Sequence, residues 1–291
     1  MTNNVYELDI RDGVCYGYKH KEVAMFTTNQ RRSLAQECGL SDRKGAWVAA
    51  RSYVYRDYAM QYFPDVCIPL LDIPEGVHTI ATQAFKDCDR IFSVRFPSML
   101  RVIEIEAFMN CKCMEVMNMN FGSNFAVQKI GDEAFCNTFC PVVFVPDTAK
   151  ELGANIFEST GVQKAIVGTT ILPKGIFKSC KKLRHVMIPS VKEIGDEAFL
   201  RAFGKNVVYA IPDNVLKIGK SAFRYTKIFK LPAFVQYIDD MAFADTDIEF
   251  LTLSDRAKVE QYAFYKSRIW HKNISPNADI DKYAFEGATY G

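Results

Sequence analysis

From residue 80 to the end, one arrangement of apolar and polar positions returns ten times: an aliphatic residue, three mixed positions, then a small apolar residue followed by phenylalanine. The clearest copies are Ile130-Gly-Asp-Glu-Ala134-Phe135, Ile194-Gly-Asp-Glu-Ala198-Phe199 and Ile218-Gly-Lys-Ser-Ala222-Phe223. The ten rings are Phe85, Phe108, Phe135, Phe157, Phe177, Phe199, Phe223, Phe243, Phe264 and Phe285, spaced by 20 to 27 residues. A period of this length is that of a solenoid repeat. The residue before the ring is Ala in eight copies and Ile in two. Three positions after it stands Cys, Thr, Ser or Ala in every copy, for example Cys88, Cys111, Cys180 and Thr226. The positions one before and three after the ring are four apart and share one face of a helix. Gly-Asp-Glu ahead of Ala-Phe supplies capping oxygens and negative charge where a helix begins. The pattern therefore predicts a short helix in each repeat.

Between these segments runs apolar-x-apolar-Pro, as in Leu71-Asp-Ile73-Pro74, Val94-Arg-Phe96-Pro97, Val143-Phe-Val145-Pro146 and Val186-Met-Ile188-Pro189. Tyr209-Ala-Ile211-Pro212 and Phe229-Lys-Leu231-Pro232 are looser copies. Alternation of period two predicts a short strand, and proline ends it by removing an amide donor. One strand per repeat, all in one direction, gives a parallel sheet along one side of a coil.

Phe177-Lys-Ser-Cys180-Lys-Lys-Leu183-Arg-His-Val186-Met-Ile188-Pro189 resembles the repeat of the BspA-like leucine-rich repeat family, also seen in treponemal and trichomonad surface proteins. The resemblance spans roughly residues 66–291. It implies an α/β fold: a right-handed solenoid of about ten repeats, each with one short parallel strand and a short helix. It also implies a scaffold rather than a particular chemistry, and an adhesin-like surface role as the alternative function.

Residues 1–65 stand outside the repeat. Val5 to Ile10 and Val14 to Tyr18 flank Asp12-Gly13, a hairpin turn. Helices are predicted from Thr28 to before Gly39 and from Asp42 to about Tyr62. The segment reads as an N-terminal cap over the first layer, with a small independent domain as the rival. At the other end the last repeat stops six residues after Phe285. An open final layer, a homo-oligomer through that end, and a longer natural chain are the three readings.

The chain has 291 residues, and one domain per ~150 residues would make two. Lys+Arg 36 against Asp+Glu 34 leaves a net charge of +2, which gives no general attraction for nucleic acid or an anionic membrane. No run approaches the ~18 apolar residues of a membrane span. The N-terminal residues lack the basic start and apolar stretch of a signal peptide. A cytoplasmic location is expected on that ground, with the cell surface or secretion as the alternative.

Of nine cysteines, Cys88, Cys111 and Cys180 occupy the small-residue column and read as core thiols. Cys111, Cys113, Cys136 and Cys140 fall at nearly the same phase of adjacent repeats, the one arrangement that offers four sulfurs to zinc. Inward-facing Cys111 and the irregular spacing weigh against it. Cys180 and His185 are close in sequence but belong to different elements, so no reactive pair is expected. No phosphate loop or paired catalytic carboxylates appear, and neither enzymatic activity nor a cofactor is expected.

The central residues of the strand motifs should face outward as a ladder. In order they are Asp72, Arg95, Asn118, Phe144, Ile166, Met187, Ala210, Lys230, Thr252 and Asn273. Phe144, Ile166 and Met187 form consecutive apolar rungs, and with Arg95 and Lys230 they are the candidate surface for a protein partner. The function expected is a non-catalytic interaction scaffold that binds through its sheet face.

Overall fold

The computed structural model describes residues 7–19, 70–112 and 127–291. The two helices expected within 28–62 lie outside these residues. The chain divides into two compact units, Met1–Val162 and Gln163–Gly291. Each is a run of β-solenoid turns. Four of the ten phenylalanine turns fall in the first unit and six in the second, Phe177 onward.

Among the described residues no turn contains a helix, which corrects the expectation of one per repeat. The cause is backbone handedness. Around nine of the ten rings the residues two before and two after adopt positive φ, as with Gln83 and Asp87 around Phe85, Glu106 and Asn110 around Phe108, and Glu197 and Arg201 around Phe199; at Phe285 only Gly287 does. A right-handed helix cannot run through such positions. The segment folds as consecutive four-residue turns instead. Ala84 N–H donates to Ala81 O, Lys86 to Gln83 and Cys88 to Phe85, at 3.2 Å each. The outer two carry their left-handed residue third, as type II turns do.

Amides freed from helical pairing reach the neighbouring turn. Phe85 N–H donates to Ala107 O and Phe108 N–H to Ala134 O, both at 2.8 Å; in the second unit Phe199 pairs with Ala222 and Phe223 with Ala242, also at 2.8 Å. The rings consequently stack in register. Phe85, Phe108, Phe135 and Phe157 follow one another at centroid spacings of 5.1, 5.4 and 5.6 Å. In the second unit the series from Phe177 to Phe285 is spaced by 4.8–5.7 Å. All but Phe285 are fully buried. The carboxylates expected to cap helices instead link turns: Asp132 Oδ1 accepts from Ala154 N–H at 2.7 Å and Asp196 Oδ1 from Lys220 N–H at 2.9 Å. Gly195 lies where a Cβ would meet Leu172 O at 2.6 Å, so the turn after Ile194 needs glycine to close on its neighbour.

The small-residue column is as much about donors as about size. Thr138, Thr160, Thr226 and Ser267 each donate their hydroxyl to the carbonyl of their own phenylalanine, at 2.6–3.0 Å. Cys111 Sγ lies 3.0 Å from Phe85 O on the preceding turn. These carbonyls are buried, and an unpaired one is costly. Phe223 O also accepts from Thr246 Oγ1 at 2.8 Å, so Thr226→Val removes one of two donors without orphaning the carbonyl and is expected to lower stability by about 0.5–1 kcal/mol in denaturant titration.

Each repeat that lies wholly within the described residues contributes two strands where one was expected. The first is the apolar-x-apolar run; proline then opens a turn, Val215 N–H donating to Pro212 O at 3.2 Å. The second is a two-residue strand holding the aliphatic residue of the repeat. In the second unit these run Ile171–Leu172, Glu193–Ile194, Lys217–Ile218, Tyr237–Ile238, Lys258–Val259 and Asp279–Ile280, all parallel. In the first unit the corresponding sheet begins with the hairpin Leu8–Arg11 and Val14–Tyr18, turning at Asp12-Gly13 as expected. Its second strand joins Thr79–Ile80 in parallel, and Tyr18 sets its ring edge-on to Phe85 at 5.3 Å.

Candidate binding surface

The outer sheet of the second unit holds five strands: Tyr209–Ala210, Lys227–Lys230, Asp247–Leu253, Arg268–Ile274 and Thr289–Tyr290. Strict alternation would leave one outward residue between inward neighbours, as in the first unit's Val142–Val145, where Phe144 sits between buried Val143 and Val145. In two of the three middle strands the inward residues are three apart: Ile228 and Leu231, Ile248 and Leu251. Two residues per strand then face outward. Phe229 is one of them, 41% exposed, which corrects its expected inward place: Ile228 takes that position.

Phe229, Phe250 and His271 gather on this face. Phe250 and His271 are register partners with near-parallel rings 4.9 Å apart, and Phe229 meets Phe250 edge-on at 5.3 Å. Trp270 stands beside His271, half exposed, with Arg268 6.0 Å from its ring centroid. Lys272 Nζ lies 3.8 Å from the centroid of Tyr290. Large aromatics left in contact with water on a rigid sheet are the kind of patch that partners cover. The signal was present in sequence as Ile228-Phe-Lys-Leu231 and Ile248-Glu-Phe-Leu251. Reading every strand at period two hid it.

The expected ladder distributes differently. Phe144, in the first unit, is half-buried. Ile166 is half-buried and pairs in register with Met187, which is 53% exposed. Arg95 is exposed, with Nη1 2.9 Å from Asp72 Oδ2, its register partner. Lys230 Nζ is 3.1 Å from Asp213 Oδ2. Thr252 pairs in register with Asn273, and Asn118 lies outside the described residues.

The charge runs of the sequence also resolve into pairs between turns. Lys217 meets Glu193 at 3.1 Å, Lys220 meets Asp240 at 2.6 Å and Arg224 meets Asp245 at 3.0 Å. Acidic neighbours hold the Lys220 ammonium above its usual range, mainly through its bond to Asp240. Exposed pairs of this kind contribute little each, yet they leave less free charge than the runs imply.

Cys111, Cys136 and Cys140 are buried, and Cys113 lies outside the described residues. Burial pushes the Cys111 thiol well above its ordinary pKa, and its Sγ lies against Phe85 O at 3.0 Å. Cys140 Sγ is 3.2 Å from Thr138 Oγ1. Among the described residues no three His, Cys, Asp or Glu converge on a metal position. Cys180 is buried while His185 is exposed.

No curated protein matches the sequence significantly. Among solved structures, a leucine-rich repeat protein from Bacteroides ovatus is similar at 18% identity and a TM-score of 0.42, covering 75% of this chain and 72% of its own. The pneumococcal vaccine antigen PcpA gives 16% identity and 0.42; this chain accounts for 60% of its length, against 72% of the present one. A leucine rich cell surface protein from Faecalibacterium prausnitzii gives 15% and 0.32, over 77% and 88% respectively. The model of the BspA type leucine rich repeat region, six copies, matches residues 59–171, 112–229 and 204–290. Stacked phenylalanines, paired turns and this continuous match together mean that the chain belongs to the BspA-type leucine-rich repeat family.

Proposed function

We propose that the chain is a non-catalytic binding module that engages a macromolecular partner through the outer sheet of its second unit. The observation that carries this reading is the exposed cluster of Phe229, Phe250, Trp270 and His271 on a rigid five-stranded sheet. The rings are held by strands whose inward residues are fully packed, so the surface is ordered before any partner arrives, which lowers the entropic cost of association. Arg95, Phe144, Ile166, Met187 and Lys230 belong to the same type of outward position and extend the proposal to other turns.

Affinity capture with the wild-type chain and with Phe250→Asp in parallel tests it. The expected result is a defined partner retained by the wild type and lost by the variant, with melting temperature nearly unchanged because Phe250 is already 40% exposed. Identical captured sets would remove this face from the function; a large loss of stability would show that the ring acts in packing. Phe144→Asp in the same experiment assigns or removes the first unit's candidate.

Membership of the family favours a second reading, an adhesin-like module displayed at a cell surface, where the partner is a host protein or polymer. The cytoplasmic expectation came from the first residues of the sequence together with the core thiols, and the family does not support it. Antibody labelling of intact cells is expected to reach a displayed module; signal appearing only after lysis would return the chain to the interior.

A further inference from the structure

The stretch between Phe199 and Phe223 departs from its neighbours. Phe203 takes a φ of +70°, its N–H donates to Cys180 O at 3.2 Å, and Gly204 N–H donates to Leu183 O at 3.0 Å. The Phe203 ring stacks on Phe199 at 5.4 Å and on Tyr209 at 5.1 Å. The loop is thus fixed, and beside it opens a groove of about 520 Å³ wholly within the second unit.

Lys181, Arg201, Lys205 and Lys227 line this groove above a floor that includes Phe203 and Val207. Among the described residues none of the four cations forms an ion pair, although nearby Lys178, Lys217, Lys220 and Arg224 all do. The Arg201 guanidinium lies 4.9 Å from the centroid of Tyr225, which Arg224 approaches at 4.7 Å. Arg201 is therefore held at the groove by its ring contact with its charge uncompensated. Two carboxylates are present. Asp245 is taken by Arg224 at 3.0 Å, and Asp247 stands in register with Lys227.

We propose that this groove is a docking site for an acidic peptide segment of a partner protein. Its carboxylates would meet the unpaired cations, and an apolar side chain would rest on the Phe203–Val207 floor. Charge complementarity supplies specificity and association rate. The two wall carboxylates disfavour a uniformly anionic polymer, which would meet like charge along its length, whereas a peptide offers backbone N–H donors to them. The site is separate from the aromatic face, and its test is independent of that reading.

The probe is a synthetic glutamate-rich hexapeptide with a central leucine, titrated calorimetrically into the full chain. Its glutamine counterpart and a sulfated hexasaccharide are the comparators. The acidic peptide is expected to bind at millimolar concentration or below and to weaken as salt is raised. The glutamine version and the double variant Arg201→Ala/Lys205→Glu should each lose about tenfold or more. The variant should keep its melting temperature, and Phe250→Asp should bind the peptide as the wild type does. Absence of binding, equal binding of the glutamine peptide, indifference to the double variant, or tighter binding of the saccharide would each overturn the proposal.

Discussion

Phe199→Ala is expected to destabilise the second unit by about 3–5 kcal/mol, the cost of opening a phenyl-sized cavity in a packed core. Its ring is fully buried and touches four others: Phe177 at 5.7 Å, Phe223 at 5.1 Å, Phe203 at 5.4 Å and Tyr209 at 6.1 Å. Backbone pairing on either side fixes the turn, so the neighbours cannot slide inward to refill the space. The same substitution at Phe285 should cost clearly less, because that ring is only half-buried and stacks on one partner, Phe264 at 4.8 Å. Urea titration of both variants checks the ordering. Equal losses would mean that the stack behaves as independent rings rather than as a supported column.

Gly17→Ala is expected to cost on the order of 3 kcal/mol and to loosen the N-terminal hairpin selectively. Gly17 has a φ of +104°, a conformation closed to residues with a side chain, and its Cβ would stand 1.9 Å from Ala84 O. Both objections involve backbone, so no rotamer change relieves them. The hairpin would have to move off the Thr79–Ile80 strand and take Tyr18 away from Phe85. Hydrogen exchange should then show the amide of Ala81, which donates to Cys15 O at 2.8 Å, losing protection while amides around Phe243 keep theirs. Uniform protection across the chain would show that the hairpin tolerates the extra methyl group.

Much of the architecture was legible in sequence because a repeat repeats its evidence. Ten copies of one spacing located the column of phenylalanines in each unit, and Asp12-Gly13 located the hairpin. The helix expectation failed because a spacing of four is shared by a helical face and by two linked tight turns. Composition could have separated them. Asp87, Asn110, Asn137, Asp245 and Gly287 all stand two residues after their ring, and these residue types are the ones that tolerate positive φ. The second strand was missed since two residues carry no visible alternation. At the candidate surface the period-two reading assigned Phe229 to the interior, whereas the wider spacing of Ile228 and Leu231 turns it to solvent. The groove beside Phe203 depends on side chains from several turns, an adjacency that no single stretch of sequence displays.

The hydroxyl or thiol that stands three residues after the ring in eight of the ten turns is chemically replaceable by its analogue. Cys88, Cys111 and Cys180 occupy the same station as Thr138, Thr160 and Ser267. Serine in place of these three thiols would retain a donor at that station; Cys15, Cys38, Cys67, Cys113, Cys136 and Cys140 would need replacements of their own to give a version of the protein emptied of native sulfhydryls. Single cysteines could then be written back along the outer strands for spectroscopic labels, turn by turn.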